Sequence, residues 1–299
     1  MTVRPTTKHD IQRDDENISQ PGFAVVQKIL ITGSISMLST GVDAGTGNVT
    51  LYVTGTTPYD GWIGDANSWG YVSVDGPIST VDVGTDVTGY IGLGDRLKLT
   101  QTTVKYFIVV KLSFSAGITR ISLYGGTDYT LVNAAISSVF YSHSKIPFGF
   151  SASPAKWTET VTNANNCAKA SPTANTWYGG TNVTGTGPSI DVPIGSWNVR
   201  IKGLIEVDPP ATAGNYGARW TFSTSNNAES DATWTNQGLG IQPAITAAMR
   251  FAAVIVKLLE VTSKTTYYLN ILTGQVSVTS IAIRGDVATT IIELVCAYL

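Results

Sequence analysis

The sequence predicts an all-β protein: two tandem antiparallel β-sandwiches behind an extended N-terminal arm. Three observations predict it. Apolar residues recur with a period of two along most of the chain. Turn signals such as "DAGTG", "SAG", "GGTD" and "PPATAGN" separate these runs at short intervals. No segment sustains the 3.6-residue apolar repeat of an amphipathic helix.

Taken in order, residues 1–22 carry charge without alternation. An arm of this composition orders only against a neighbour, for which a second subunit is the simplest candidate. The first sandwich spans residues 23–146. Its expected strands are Phe23–Thr32, Asn48–Thr54, Tyr71–Val74, Arg96–Thr100, Val104–Phe114, Ile118–Tyr124 and Ile136–Ser142. A connector follows at 147–156. Pro147 and Pro154 stop any ladder there, and Phe148 and Phe150, with Trp157 beside them, indicate an ordered, packed link.

The second sandwich spans 157–299 and contains the clearest strand, Ser196–Val207. Trp197, Val199, Ile201, Ile205 and Val207 share one face, while Asn198, Arg200, Lys202 and Glu206 share the other. Gly203 and Leu204 break the pattern and mark a bulge or an interface contact. Further strands are expected at Ala218–Ser223, Phe251–Val261, Thr265–Leu272, Val278–Arg284 and Thr290–Tyr298, with room for a short helical turn before Phe251. The stretch Thr162–Pro188 has low complexity and is expected to be a surface excursion.

Two segments share the pattern [IV]-T-x-I-[SA]-[LI]-x-G: "ITRISLYG" (Ile118–Gly125) and "VTSIAIRG" (Val278–Gly285). Upstream, Leu97–Val110 aligns with Leu258–Ile271, and Asn48–Thr56 aligns with Gly217–Ser225. The alignment predicts one β-domain copied in tandem.

Only 13% of the 299 residues are charged, against roughly a quarter in an average soluble protein. The net charge of −2 provides no basic field for nucleic acid. No apolar stretch reaches the length needed to insert in a membrane or to serve as a signal-peptide core. Two cysteines, Cys167 and Cys296, do not make a disulfide framework, and Cys296 sits in an apolar run as a buried thiol.

The catalytic signatures G-x-S-x-G, G-x-x-x-x-G-K-[ST] and H-E-x-x-H are absent from the sequence, and two distant histidines with two distant cysteines do not compose a zinc site. The chain is therefore expected to be non-enzymatic and to need no cofactor or metal. Two loops nevertheless hold candidate ligand contacts. In "YDGWIGDANSW", Tyr59, Asp60, Trp62, Asp65 and Trp69 combine flat rings with carboxylates, as a sugar site requires. Trp177 and Tyr178 in "TWYGGTN" offer a second such pair.

The stretches "PSIDVPIGSWNVRIKGLIEV", "YYLNI" and "IAIRGDVATTIIELVCAYL" resemble the jelly-roll modules of tailed-bacteriophage virion proteins, which are similar to complement-C1q-like and tumour-necrosis-factor-like trimers. "GDRLKLTQTTVKYFIVVKLSFS" and "YSHSKIPFGF" look like a related tail or appendage domain. The resemblance covers about Phe23 to Leu299 and implies jelly-roll character in the sandwiches. It also implies a homotrimeric tail, fibre, receptor-binding or decoration component of a virion, assembled in the host cytoplasm. Its partners would be copies of itself, other virion structural proteins and a host cell-surface glycan or protein. It transfers no functional residue. A secreted carbohydrate-binding module pair and an appendage depolymerase are the alternative readings.

Overall fold

The computed structural model describes residues 41–42, 49–50, 60–210, 212–242 and 247–299. It divides into two units, Met1–Trp62 and Ile63–Leu299. In the first, the described residues include one antiparallel pair, β1 (Gly41–Val42) and β2 (Val49–Thr50). The arm expected at 1–22, the strand Phe23–Thr32 and most of Asn48–Thr54 lie outside the described residues.

The second unit is built from antiparallel sheets, as the period of two predicts. Its first sheet comprises β3 (Ile63–Asp65), β4 (Trp69–Asp75), β5 (Ile78–Val83), β6 (Arg96–Gln101), β7 (Thr103–Ser115), β8 (Ile118–Tyr124) and β9 (Ser137–Ser142). The order is β3-β9-β6-β7-β8-β5-β4. The two edge strands, β3 and β4, are consecutive in sequence and joined by only Ala66, Asn67 and Ser68. Such a link reaches at most about 15 Å, whereas the edges of a flat seven-stranded sheet stand about 29 Å apart. The sheet therefore curls until the end of β3 and the start of β4 come within that reach, without the two strands pairing, and its two layers come from one sheet. The concave face encloses Val81, Leu97, Leu99, Phe107, Ile121 and Leu123, each fully buried.

Asp65 holds the seam. One carboxylate oxygen accepts the backbone N–H of Asn67 (2.9 Å) and its side-chain amide (2.7 Å); the other accepts the indole N–H of Trp69 (3.1 Å) and the hydroxyl of Tyr90 (3.4 Å).

The remaining strands are β10 (Thr158–Asn163), β11 (Asn166–Ala170), β12 (Ser189–Val192), β13 (Gly195–Asp208), β14 (Gly214–Ser223), β15 (Thr235–Gln242), β16 (Met249–Val261), β17 (Thr265–Leu272), β18 (Ser280–Arg284) and β19 (Thr290–Cys296). They form a six-stranded sheet, β10-β19-β13-β18-β11 with β16 on the other side of β13, and a four-stranded sheet, β12-β17-β14-β15. All five expected inward residues of β13 are buried.

β19 and β18 share one edge of β13: β19 pairs with Trp197–Lys202 and β18 with Ile205–Asp208. Residues 285–289 loop out between them, so the irregularity signalled at Gly203 and Leu204 lies in the partner strand. On the other side, β16 pairs with β13 through Gly203 without a break.

Three expectations need correction. The copied-domain reading does not survive the pairing. Leu97–Val110 is a β6–β7 hairpin within one sheet, whereas its aligned counterpart crosses from β16 in one sheet to β17 in the other. The two strands of shared pattern meet the same local constraint instead. Each buries two alternate aliphatic side chains, Ile121 and Leu123 or Ile281 and Ile283. Each ends on a glycine pressed by another backbone: a Cβ at Gly125 would lie 1.8 Å from the Tyr129 carbonyl oxygen, and one at Gly285 would lie 2.4 Å from that of Asn163.

Second, Thr162–Pro188 is not a free excursion. It contains β11, which pairs with β18 along its whole length, and a segment pinned over the four-stranded sheet. Third, β16 begins at Met249, two residues before the expected start. Of the residues before Phe251 where a helical turn had room, 243–246 lie outside the described residues and Met249 and Arg250 already belong to the strand.

Asp65→Ala leaves the buried Trp69 indole N–H without its acceptor and releases the link between the sheet's two edges. It is expected to cost about 1–3 kcal/mol, read as a lowered urea midpoint; an unchanged midpoint contradicts closure by Asp65.

Candidate functional site

The first candidate loop is built into the fold. Tyr59 lies outside the described residues. In the first unit, Asp60 accepts the backbone N–H of Trp62 at 3.1 Å, and the Trp62 ring is only 6% exposed. In the second unit, Asp65 is occupied at the seam and Trp69 is likewise 6% exposed. A sugar stacks on an open ring face, and neither tryptophan offers one.

The second candidate is also packed. Tyr178 is buried and exchanges two backbone hydrogen bonds with Ile271, both 2.8 Å. Its hydroxyl accepts the Thr173 N–H at 2.8 Å, and the Lys169 ammonium lies 5.2 Å from its ring centroid. Trp177 beside it is half-buried.

The residue that organises this region was not singled out from sequence. Asn270, fully buried in β17, donates to the carbonyls of Ser225 and Ala228 at 2.8 Å each and accepts the Asn227 N–H at 3.4 Å. Asn227 in turn accepts the Gly179 N–H at 2.7 Å. One buried amide thus fastens two loops over the outer face of the four-stranded sheet. Its signal was present in "YYLNIL": a lone amide inside an apolar strand must be satisfied by something packed against it.

A second cluster joins the curled sheet to the two sheets that follow. β7 buries four consecutive residues, Phe107 to Val110, because both its faces are covered. Tyr124 packs edge-on against Trp197 (4.9 Å between centroids) and Trp157 (6.0 Å), and Trp157 stacks flat on Phe150 at 4.7 Å. The connector is ordered through these rings, although Phe148 points outward at 80% exposure.

Arg96 is buried beside the rings. Its guanidinium donates to the carbonyls of Lys145 (3.0 Å), Gly94 (2.5 Å) and Tyr298 (3.0 Å), and lies 4.9 Å from the Phe150 centroid. Burial lowers its pKa, while the three carbonyls and the ring face replace the lost water. Tyr124 donates to Glu159 at 2.9 Å. Burial pushes the Glu159 carboxyl above its ordinary value, partly opposed by that hydrogen bond. Both cysteines are free thiols, and burial raises that of Cys296 to about 11. Among the described residues, no group of three or more His, Cys, Asp or Glu is placed to hold a metal, and no helix is long and apolar enough to cross a membrane.

The outward face of β16 has the opposite character. Val254, Val256 and Leu258 are 54%, 66% and 58% exposed. Leu239 and Ile241 are exposed on β15, whose Asn236 amide reaches the Val254 carbonyl at 2.9 Å. These residues make an apolar border along one edge of the fold.

No family model matches the chain, and no curated protein matches its sequence. Among solved structures, it is similar to dimeric latent PorU from Porphyromonas gingivalis at 10% identity and a TM-score of 0.26, over 77% of this chain and 24% of that one. It is similar to the infectious bursal disease virus Gx strain at 10% identity and 0.26, over 84% and 62%. It is also similar to infectious bursal virus derived T=1 particles at 14% identity and 0.18, over 84% and 64%. The chain spans about a quarter of the PorU chain and less than two thirds of each viral chain.

The Tyr124–Glu159 contact predicts a pH dependence. An acid whose folded-state pKa lies above its ordinary 4.5 weakens the fold as pH rises through the interval between the two values. Glu159→Gln keeps an acceptor for Tyr124 and removes the charge. It is expected to raise Tm at neutral pH and flatten the decline above pH 4.5; a parallel Tm–pH curve contradicts this.

Proposed function

We propose that the chain is a non-enzymatic structural protein that assembles with copies of itself as part of a virion, of the tailed-phage kind its strand patterns resemble. The observation that carries the reading is the apolar outward face of β16, held on an edge strand that β13 pairs on one side. Valine and leucine side chains at this exposure, in a chain with so few charges, gain most by being covered. The ring-packed junction around Arg96 supports the same reading, since a rigid body presents its contact surfaces in fixed relation.

Three-fold order follows from the resemblance, as do neighbouring virion proteins and a host surface as further partners. The burial of Trp62 and Trp69 weighs against a glycan contact at that loop, as the carbohydrate-binding alternative would use it; the depolymerase alternative asks instead for two carboxylates facing one groove.

Light scattering coupled to size separation tests the reading. The protein is expected to elute at a multiple of its 31.7 kDa chain mass across micromolar concentrations. A single-chain mass throughout that range overturns it.

A further inference from the structure

We propose that β16 pairs antiparallel with β16 of a second copy about a two-fold axis through Ile255. The proposal rests on the self-assembly reading above and specifies one contact within it.

Three observations fix the geometry. First, among the described residues no strand pairs with the second edge of β16, although β15 lies beside its N-terminal half, with Gly238 against the Phe251 side chain and Gly240 against Met249. The 13 residues of β16 pair with β13 on one side. The bond from Asn236 to the Val254 carbonyl shows which groups face the other way. In an antiparallel ladder both backbone groups of a residue point to the same side, and the side alternates. Arg250, Ala252, Val254, Val256, Leu258 and Glu260 therefore all aim their N–H and C=O groups off the open edge.

Second, among the described residues that edge lacks the usual protection. Exposed edges are blunted by lysine, proline, bulges or short length. β16 has neither bulge nor proline, its lysine (Lys257) turns inward over the Trp234 ring at 5.5 Å, and its outward side chains include Ala252, Val254, Val256 and Leu258.

Third, the outward sequence is self-complementary. Reversal about Ile255 sets Val254 opposite Val256 of the second copy, Ala252 opposite Leu258 and Arg250 opposite Glu260, with each pair repeated by symmetry. Moving the axis to Val254 or Val256 keeps the backbone facing but sets Arg250 against Leu258, or Glu260 against Ala252. Only the Ile255 axis matches both charges.

Arg250 donates through Nε to Glu206 in its own chain at 2.7 Å and is half-exposed; its guanidinium carries further donors for Glu260 of the second copy. Asn236, an exposed side chain, gives up the Val254 carbonyl to the Val256 N–H of the second copy. The contact is isologous and can join three-fold rings in pairs.

Cysteine cross-linking reads the register. In the double variant Ala252→Cys/Leu258→Cys, each new sulfur faces its complement across the axis, about 5.5 Å apart between Cα atoms, within disulfide range. In either single variant the two copies of the residue stand about 20 Å apart, and the native thiols are buried. The double variant is expected to oxidise to a covalent dimer and the single variants are not. Glu260→Arg sets arginine against arginine and is expected to weaken association roughly tenfold. An oligomer by light scattering that fails to cross-link in the double variant, or that ignores Glu260→Arg, overturns this contact and leaves self-assembly standing. A single-chain mass for the unmodified protein overturns both.

Discussion

Every open β-sheet ends in two rows of unpaired N–H and C=O groups, and the disposal of those rows organises this molecule. The first sheet brings its two edges together. β3 and β4 stand at opposite ends of the strand order, yet three residues separate them in the chain, and the Asp65 carboxylate ties the link to Trp69 and Tyr90. The six-stranded sheet ends in β10 and β11 on one side, short strands rich in threonine, asparagine and alanine. The four-stranded sheet ends in the four-residue β12 on one side and in β15 on the other. β16 differs from these edges in being long and apolar along its outward face.

The sheets act as one body because aromatic rings and one buried cation fill the space between them. Trp197, Tyr124, Trp157 and Phe150 form a continuous run of ring contacts from β13 through β8 to the connector. Arg96 sits at its end and binds the carbonyls of three separated segments. A buried cation that answers to backbone carbonyls rather than to a carboxylate fixes the positions of those segments, because each carbonyl has one orientation that satisfies it. The exposed apolar edge of β16 is thereby held in fixed relation to the curled sheet.

Most interior strands were legible in the sequence, β5 being the exception, and most edge strands were not, for a physical reason. An interior strand such as β13 or β17 must place apolar side chains against a neighbouring layer, which writes the period of two into its residues. The edges β3, β10, β11, β12 and β15 hold their places largely by backbone hydrogen bonds, and "TETVTN" or "TNQGLGIQ" carries little alternation. β16 was legible because it is apolar on both faces, the same property that leaves it exposed. The burial of Trp62 and Trp69 was illegible for a related reason: a tryptophan near an aspartate reads alike whether the pair faces solvent or closes a seam, and only burial separates the two. Asn270 was missed because an amide in an apolar strand reveals a need for partners without naming them.

In the assembled protein the outer row of β16 is either paired or open, and amide hydrogen exchange measures that row directly. At concentrations where the protein assembles, the amides of Ala252, Val254, Val256 and Leu258 are predicted to be protected as strongly as those of β13, and to lose that protection on dilution while β13 keeps its own. Rapid exchange of these four amides at every concentration would contradict it.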